Sequence, residues 1–221
     1  MTGGSGLLGG ELKSYNPDIH APSSKEMNIL DQRTCVSLIS SYMPDTLIHA
    51  AAYTAVDESE KVPVRAREVN VRGTLNLVNI CEGLNIRLVY ISTDYVFDGK
   101  SGGYKADDPI NPINIYSMTK AAAELAVRTM KNSLVIRTSF CPKKFPHAKA
   151  FTDQYSSKDY VDIIAPMIYG KVVSDELGVT HIGTERKSIY DLARKRTPEV
   201  GKLSINEVEF NPPPDISFKN E

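Results

Sequence analysis

Tyr116 and Lys120 stand four residues apart in Tyr116-Ser117-Met118-Thr119-Lys120, at the front of the alanine-rich run Ala121-Ala122-Ala123-Glu124-Leu125-Ala126-Val127. Spacing of four puts a phenol and an ammonium on one face of a helix. A free phenol titrates at about 10, and a cation beside it favours phenolate and eases proton transfer near neutrality. The chemistry open to such a pair is carbonyl reduction or alcohol oxidation. Upstream, an apolar stretch ends in Ser92-Thr93-Asp94, which sets polar groups at the tip of an expected strand. A Tyr and a Lys at this spacing are common on exposed helices, so the pair draws its weight from its surroundings. These are the glycine-rich opening Thr2-Gly3-Gly4-Ser5-Gly6-Leu7-Leu8-Gly9 and the strand–helix rhythm of the rest of the chain.

That rhythm is carried by three short apolar runs rich in β-branched residues, Asp45 to Ala50, Arg87 to Ile91 and Ser133 to Arg137, with helical patterns between them. From Asn70 to Cys81, Val71, Leu75 and Val78 recur at helical spacing. The pattern predicts βαβ units and a parallel sheet. Such sheets bind ligands at the carboxyl ends of their strands, where Ala50-Ala51-Ala52 and Ser92-Thr93 fall. Only Met1 and Thr2 precede Gly3, so the strand that leads into a glycine-rich turn is expected to be missing. Between Gly9 and the weak strand candidate Asp18-Ile19-His20-Ala21 there is room for about two helical turns, closed by Pro17.

With 221 residues the chain can bury a real core. Its 26 basic and 27 acidic residues give a formal net charge of −1, which supplies no electrostatic footprint for nucleic acid. Cys35, Cys81 and Cys141 are far apart and form no Cys-x-x-Cys pair, so they read as reduced thiols of a cytoplasmic protein. No run approaches the ~18 apolar residues of a membrane span, and no basic-then-apolar signal opens the chain. Neither a membrane partner nor a metal is expected.

Gly3-x-x-Gly6-x-x-Gly9, His49-Ala50-Ala51-Ala52-Tyr53-Thr54-Ala55-Val56-Asp57, Asn70-x-x-Gly73-Thr74-x-Asn76-Leu77, Ser92-Thr93-Asp94-Tyr95-Val96-Phe97-Asp98-Gly99, Pro112 and Tyr116-x-x-x-Lys120 stand in this order along the chain. Together these motifs resemble the extended short-chain dehydrogenase/reductase superfamily, and within it the dTDP-4-dehydrorhamnose reductases. The resemblance covers roughly residues 2 to 140, and its most specific element is the Ser92 to Gly99 stretch. It implies an α/β fold, a Rossmann-type doubly wound parallel sheet over residues 1–140, with a reduced substrate-binding lobe over 141–221 that packs on the first and need not be independent of it.

The resemblance further implies NADPH-dependent reduction of a nucleotide-linked, dTDP-bearing 4-keto-6-deoxy sugar. Tyr116 would give a proton to the C4 oxygen, Thr93 would hydrogen-bond that oxygen, and Lys120 would hold the nicotinamide ribose. Gly3, Ser5, Gly6, Leu7 and Gly9 would receive the pyrophosphate at a helix amino terminus. Ala50, Ala51, Ala52, Tyr53, Asn70, Ser92, Tyr116 and Lys120 would line the cofactor, and Thr93, Asp94, Tyr95, Val96 and Arg186 the substrate. Ser23, Ser24 and Lys25 fall past the second strand candidate, where hydroxyls and a cation suit a 2′-phosphate. NADP(H) is therefore favoured, with NAD(H) left open, and a homodimer is compatible with the pattern. His49 is expected to be a satisfied strand residue, and Asp94, Asp57 and Glu58 to order loops.

The last third departs from the pattern. His181 to Thr184 followed by Glu185 to Ala193 predicts a strand leading into a helix, with Thr184 as its cap. Two other functions stay open: a nucleotide-sugar epimerase or dehydratase of the same superfamily, and a non-catalytic subunit. The regulatory β subunit of methionine adenosyltransferase, which resembles the same reductases, is the precedent for the second.

Overall fold

The computed structural model describes residues 1–209 and 211–219. Its centre is a four-stranded, all-parallel sheet of β1 (Thr46–His49), β2 (Arg87–Thr93), β3 (Ser133–Thr138) and β4 (Gly178–Ile182), in the order β1-β2-β3-β4. The helices, in chain order, are α1 (Leu7–Tyr15), α2 (Gln32–Tyr42), α3 (Val56–Lys61), α4 (Pro63–Arg67), α5 (Gly73–Leu84), α6 (Ile115–Val127), α7 (Val161–Val172) and α8 (Ile189–Arg194). A π-helical turn, Glu68–Arg72, joins α4 to α5.

Alternation along the strands sorts the core into two layers. Leu88, Tyr90 and Val135 face one side and pack with Ile39 of α2, Leu77 and Val78 of α5 and Ala123 and Val127 of α6. Val89, Ile91, Leu134 and Ile136 face the other and pack with Leu8 and Leu12 of α1 and Ile164 and Ile168 of α7. The sheet is thus covered on both faces, as the uninterrupted apolar runs require. All three expected strands are present, and α1, nine residues long, fits the short space foreseen for it.

Three local expectations are corrected. Asp18 to Ala21 is irregular rather than a strand, and the Met1 amine donates to the His20 carbonyl instead. Thr184 caps nothing: its hydroxyl donates to Asp159 Oδ2 at 2.8 Å. Ser188 caps α8, accepting from the Asp191 amide at 3.0 Å. The strand expected over His181 to Thr184 is β4, Gly178–Ile182, which pairs with β3 and completes the main sheet. At the opposite edge Thr2 makes a single parallel bridge to His49, its amide donating to the Ile48 carbonyl at 2.9 Å.

Residues past 140 therefore divide. α7 and β4 return to the sheet, while 139–160 and 183–209 form a satellite held by Lys149–Phe151 beside Gly201–Leu203 and by Tyr155–Ser156 against Lys187–Ser188. Cys141, Tyr160, Ile189, Leu192 and Val200 form its own small core. All three cysteines are free and buried. No described helix is long and apolar enough to cross a membrane.

Candidate active site

The glycine turn and the end of β1 meet backbone to backbone. Gly3 adopts φ +73°, and a Cβ there would lie 2.7 Å from Ala50 C and Ala51 N. A Cβ on Gly9 would lie 2.4 Å from the Gly3 carbonyl oxygen, so the first turn of α1 seats directly on the loop. Gly6 is the N-cap residue; it has no capping side chain, and no acidic residue follows in the first turn. The amide dipoles of α1 consequently present an uncompensated positive end. That end opens on a cleft of about 480 Å³, lined by the turn, by Ala50 to Ala52, and by Ser24, Asn28 and Arg65. This lining suits a dinucleotide pyrophosphate: close backbone approach on one side, amide donors on another, and one cation.

Tyr116 sits in the first turn of α6, which is fixed from outside. Asn114 Oδ1 accepts from the Ser117 amide at 2.8 Å, the Ser117 hydroxyl oxygen accepts from the Asn114 amide at 3.1 Å, and the Ile115 amide donates to Glu60 Oε1 at 2.7 Å. The Tyr116 ring meets Tyr95 edge-on at 6.1 Å. Burial pushes the phenol well above its ordinary value; the Thr93 hydroxyl pulls it down, and Asp94 and Tyr95 push it further up. Lys120 is also buried, its Nζ donating to the Ile91 carbonyl at 2.7 Å and lying 4.2 Å above the Tyr90 ring. Burial lowers the Lys120 ammonium to about 7, against the raising effect of Glu124.

A protonated phenol, a neighbouring hydroxyl and a buried lysine therefore share one end of the sheet with a glycine-rich anion cradle. Residues 1–165 match the family profile described as RmlD substrate binding domain. The chain belongs to this family. It is 33% identical to a dTDP-4-dehydrorhamnose reductase of Aggregatibacter actinomycetemcomitans over 86% of this chain and 67% of that protein. It is 38% identical to the spore coat polysaccharide biosynthesis protein SpsK of Bacillus subtilis, over 95% of this chain and 83% of that one. A solved dTDP-4-dehydrorhamnose reductase of Bacillus anthracis, in complex with NADP, superposes with a TM-score of 0.91 at 28% identity, covering 100% of this chain and 89% of that one. Against four further curated reductases the chain spans 44% to 66% of their length.

Within this RmlD-type frame the residues singled out by sequence do not all meet. Gly3, Ser5, Gly6, Leu7, Gly9, Ser24, Ala50, Ala51 and Ala52 line the cleft. Ser23 and Lys25 do not: Ser23 is spent in its own turn, its amide donating to Glu26 Oε2 at 2.8 Å, and Lys25 is exposed. Ser92 shares the face of Leu88 and Tyr90, so its hydroxyl donates to Glu124 at 2.7 Å, away from the cleft. Val96 is fully buried in a cluster with Phe97, Tyr104 and Ile216, which removes its side chain from any substrate.

The Thr93 hydroxyl donates to Asp94 Oδ1 at 3.2 Å and accepts from the Tyr95 amide, and Asp94 Oδ2 accepts from Ser156 at 2.8 Å. Asp94 thereby ties the strand tip to the satellite, the loop-ordering role expected of it; burial raises its carboxyl. Tyr95 accepts from Gln154 Nε2 at 3.4 Å. Arg186 pairs with Asp215 at 2.7 Å and lies 3.9 Å over the Tyr155 ring.

The expectation that Lys120 lowers the Tyr116 phenol is overturned. The ammonium is turned toward Ile91 and Tyr90, and burial decides the direction of the shift. Asn70 is buried beside the active-site helix, as foreseen: it accepts from the Tyr53 amide at 2.7 Å and donates to the Tyr53 carbonyl at 3.1 Å and to Thr119 Oγ1 at 2.9 Å.

His49 is a satisfied strand residue, and its tautomer follows from its partners. The Thr74 hydroxyl donates to the Asn70 carbonyl at 2.6 Å, so it must accept from His49 Nε2 at 2.9 Å. Nδ1 then accepts from the Thr2 hydroxyl at 2.8 Å. Burial holds the ring neutral, lowering it to about 3.

Sequence reasoning missed Arg65, the only charged side chain lining the cleft among the described residues. No local signal marks it, because it reaches the cleft only through the fold of α4. It also missed the Asn114–Ser117 capping box, whose offset of three was legible.

Proposed function

We propose that this protein reduces a dTDP-linked 4-keto-6-deoxy sugar with NADPH, as a cytoplasmic enzyme of deoxysugar synthesis. The observation that carries the reading is the meeting of Thr93 and Tyr116 at the carboxyl end of β2, one helical turn from Lys120. The names of the relatives and the NADP bound by the Bacillus anthracis protein support it.

The amides that open α1 and the Arg65 guanidinium would hold the diphosphate of the dinucleotide, and NADPH, when bound, would supply the hydride equivalent for reduction of the carbonyl. Burial keeps the Tyr116 phenol protonated across neutrality, which makes it the donor of the proton that the developing C4 alkoxide takes up. Thr93 orients that oxygen. Lys120 serves as a cation toward the nicotinamide ribose, so activity falls as rising pH strips its proton, near its value of about 7.

The test is to titrate the chain with NADPH and NADH by nicotinamide fluorescence, then to add dTDP-4-keto-6-deoxy-L-mannose. Binding of NADPH followed by its oxidation is expected. Binding without oxidation would favour the non-catalytic reading, and no binding would sink the proposal.

Two variants test the cradle by the same titration. Gly9→Ala forces a Cβ against backbone 2.4 Å away; overpacking of about 1–3 kcal/mol taken from the bound state weakens NADPH about tenfold. Unchanged affinity would show that the turn does not hold the pyrophosphate. Arg65→Ala removes the one cation of the lining, and the loss of a charge-assisted hydrogen bond again weakens binding about tenfold. Retained affinity would remove Arg65 from the site.

A further inference from the structure

Glu124 has no exposed surface, and it follows Tyr116 and Lys120 at intervals of one helical turn on α6. Ser92 Oγ donates to its Oε2 at 2.7 Å, Arg137 Nη2 to its Oε1 at 2.6 Å, and Arg137 Nε to both oxygens at 3.1 and 3.2 Å. Ser92 and Arg137 are register partners on β2 and β3. Each directly precedes a threonine at its strand's carboxyl end, Thr93 and Thr138. Arg137 is held in turn by the Ala106 carbonyl at 3.1 Å, and it contacts His181 Nε2 at 3.3 Å. A buried ion pair returns little or nothing in stability over an apolar pair of the same shape. The placement of this one calls for another account.

We infer that Glu124 is a positioning residue for Lys120: clamped by Ser92 and Arg137, it fixes a negative charge one helical turn beyond the buried ammonium and keeps that ammonium charged and aimed at the Ile91 carbonyl. The inference rests on the reductase reading, in which Lys120 works as a cation.

Of the other carboxylates near α6, Asp94 past the end of β2 is raised by burial and engaged by Ser156 at 2.8 Å, and the groups on the sheet and on α5 and α6 leave this task to Glu124. On β1, His49 is neutral by its hydrogen bonds. On β2, the Tyr90 phenol is pushed well up by burial and stays uncharged under the ammonium. On α6, Tyr116 is likewise protonated. The buried residues of α5 carry no charge, and Arg137 of β3 is bound to Glu124 itself. Burial pulls Lys120 down, and Glu124 opposes that pull.

The experiment follows the Lys120 side-chain signals of the full, ligand-free chain by heteronuclear NMR through a pH titration, assigning them by their loss in Lys120→Met. In Glu124→Gln the Lys120 midpoint is expected to fall by about one pH unit, the effect of losing a nearby opposite charge. The high-pH limb of NADPH oxidation should move with it. Because Glu124→Gln strands Arg137, the double variant Glu124→Gln/Arg137→Met is titrated beside it, with thermal melts to confirm folding, and should show the same direction of shift. A Lys120 midpoint that stays at the wild-type value in the folded variants overturns the inference. Absence of turnover in the wild-type chain would count against the reductase reading alone, since the lysine titration needs no substrate.

Discussion

Tyr116→Phe is expected to lower turnover by about 10²- to 10⁴-fold, the usual contribution of a positioned acid, with NADPH affinity unchanged. The substitution removes one oxygen and keeps the ring that packs edge-on against Tyr95. The lining of the cleft proposed for the dinucleotide is unchanged, because Tyr116 is not part of it. Stability should move by less than about 1 kcal/mol, since a buried hydroxyl returns little net free energy. Steady-state NADPH oxidation, nicotinamide fluorescence and a thermal melt read the three quantities separately. Turnover within a few-fold of wild type would remove Tyr116 as the donor. The pH profile offers a second check. Burial has raised the phenol above its ordinary value, so the loss of rate on going alkaline should follow Lys120, near about 7, rather than Tyr116.

The division of labour proposed for phenol and lysine was only half legible in the sequence. Tyr116 and Lys120 could be found by spacing and by the motifs around them, and β2 and β3 by their apolar runs, because those features are local. The direction of the Tyr116 shift could not, since it depends on how deeply α6 is buried and on where the ammonium finds a carbonyl. Ser92 turned on parity: one position along a strand reverses its face, and sharing the side of Leu88 and Tyr90 sent its hydroxyl to Glu124. The end of the chain was hardest to read. Its order comes from pairings such as Tyr104 with Phe218 and Tyr155 with Asp215, which join residues far apart in sequence and leave no periodic trace. Ser188 rather than Thr184 caps α8 because Lys187–Ser188 is first pinned against Tyr155–Ser156, a contact with no local signature.

Arg137→Met should destabilise the protein by about 3–5 kcal/mol, the cost of stranding one member of a buried ion pair. Arg137 is 1% exposed and Glu124 0%, so water cannot replace the lost donors. The groups left to Glu124 are the Ser92 hydroxyl and Arg128, half-exposed and 3.8 Å away, too distant and too wet to compensate. The Ala106 carbonyl loses its guanidinium donor as well. Against a typical total of about 5–15 kcal/mol, this loss lowers the melting temperature by roughly 10 °C in a chain of this size. A variant melting within about 2 °C of wild type would mean the pair is more hydrated than its burial indicates. The double variant Glu124→Gln/Arg137→Met removes the stranded charge and should recover most of the loss, because neighbouring substitutions in one network do not add. That recovery bears on why the chain carries the pair at all. If an uncharged replacement folds as well as the wild type yet leaves Lys120 easier to deprotonate, stability cannot be what Glu124 and Arg137 are there to provide, and the charge they hold beside Lys120 is.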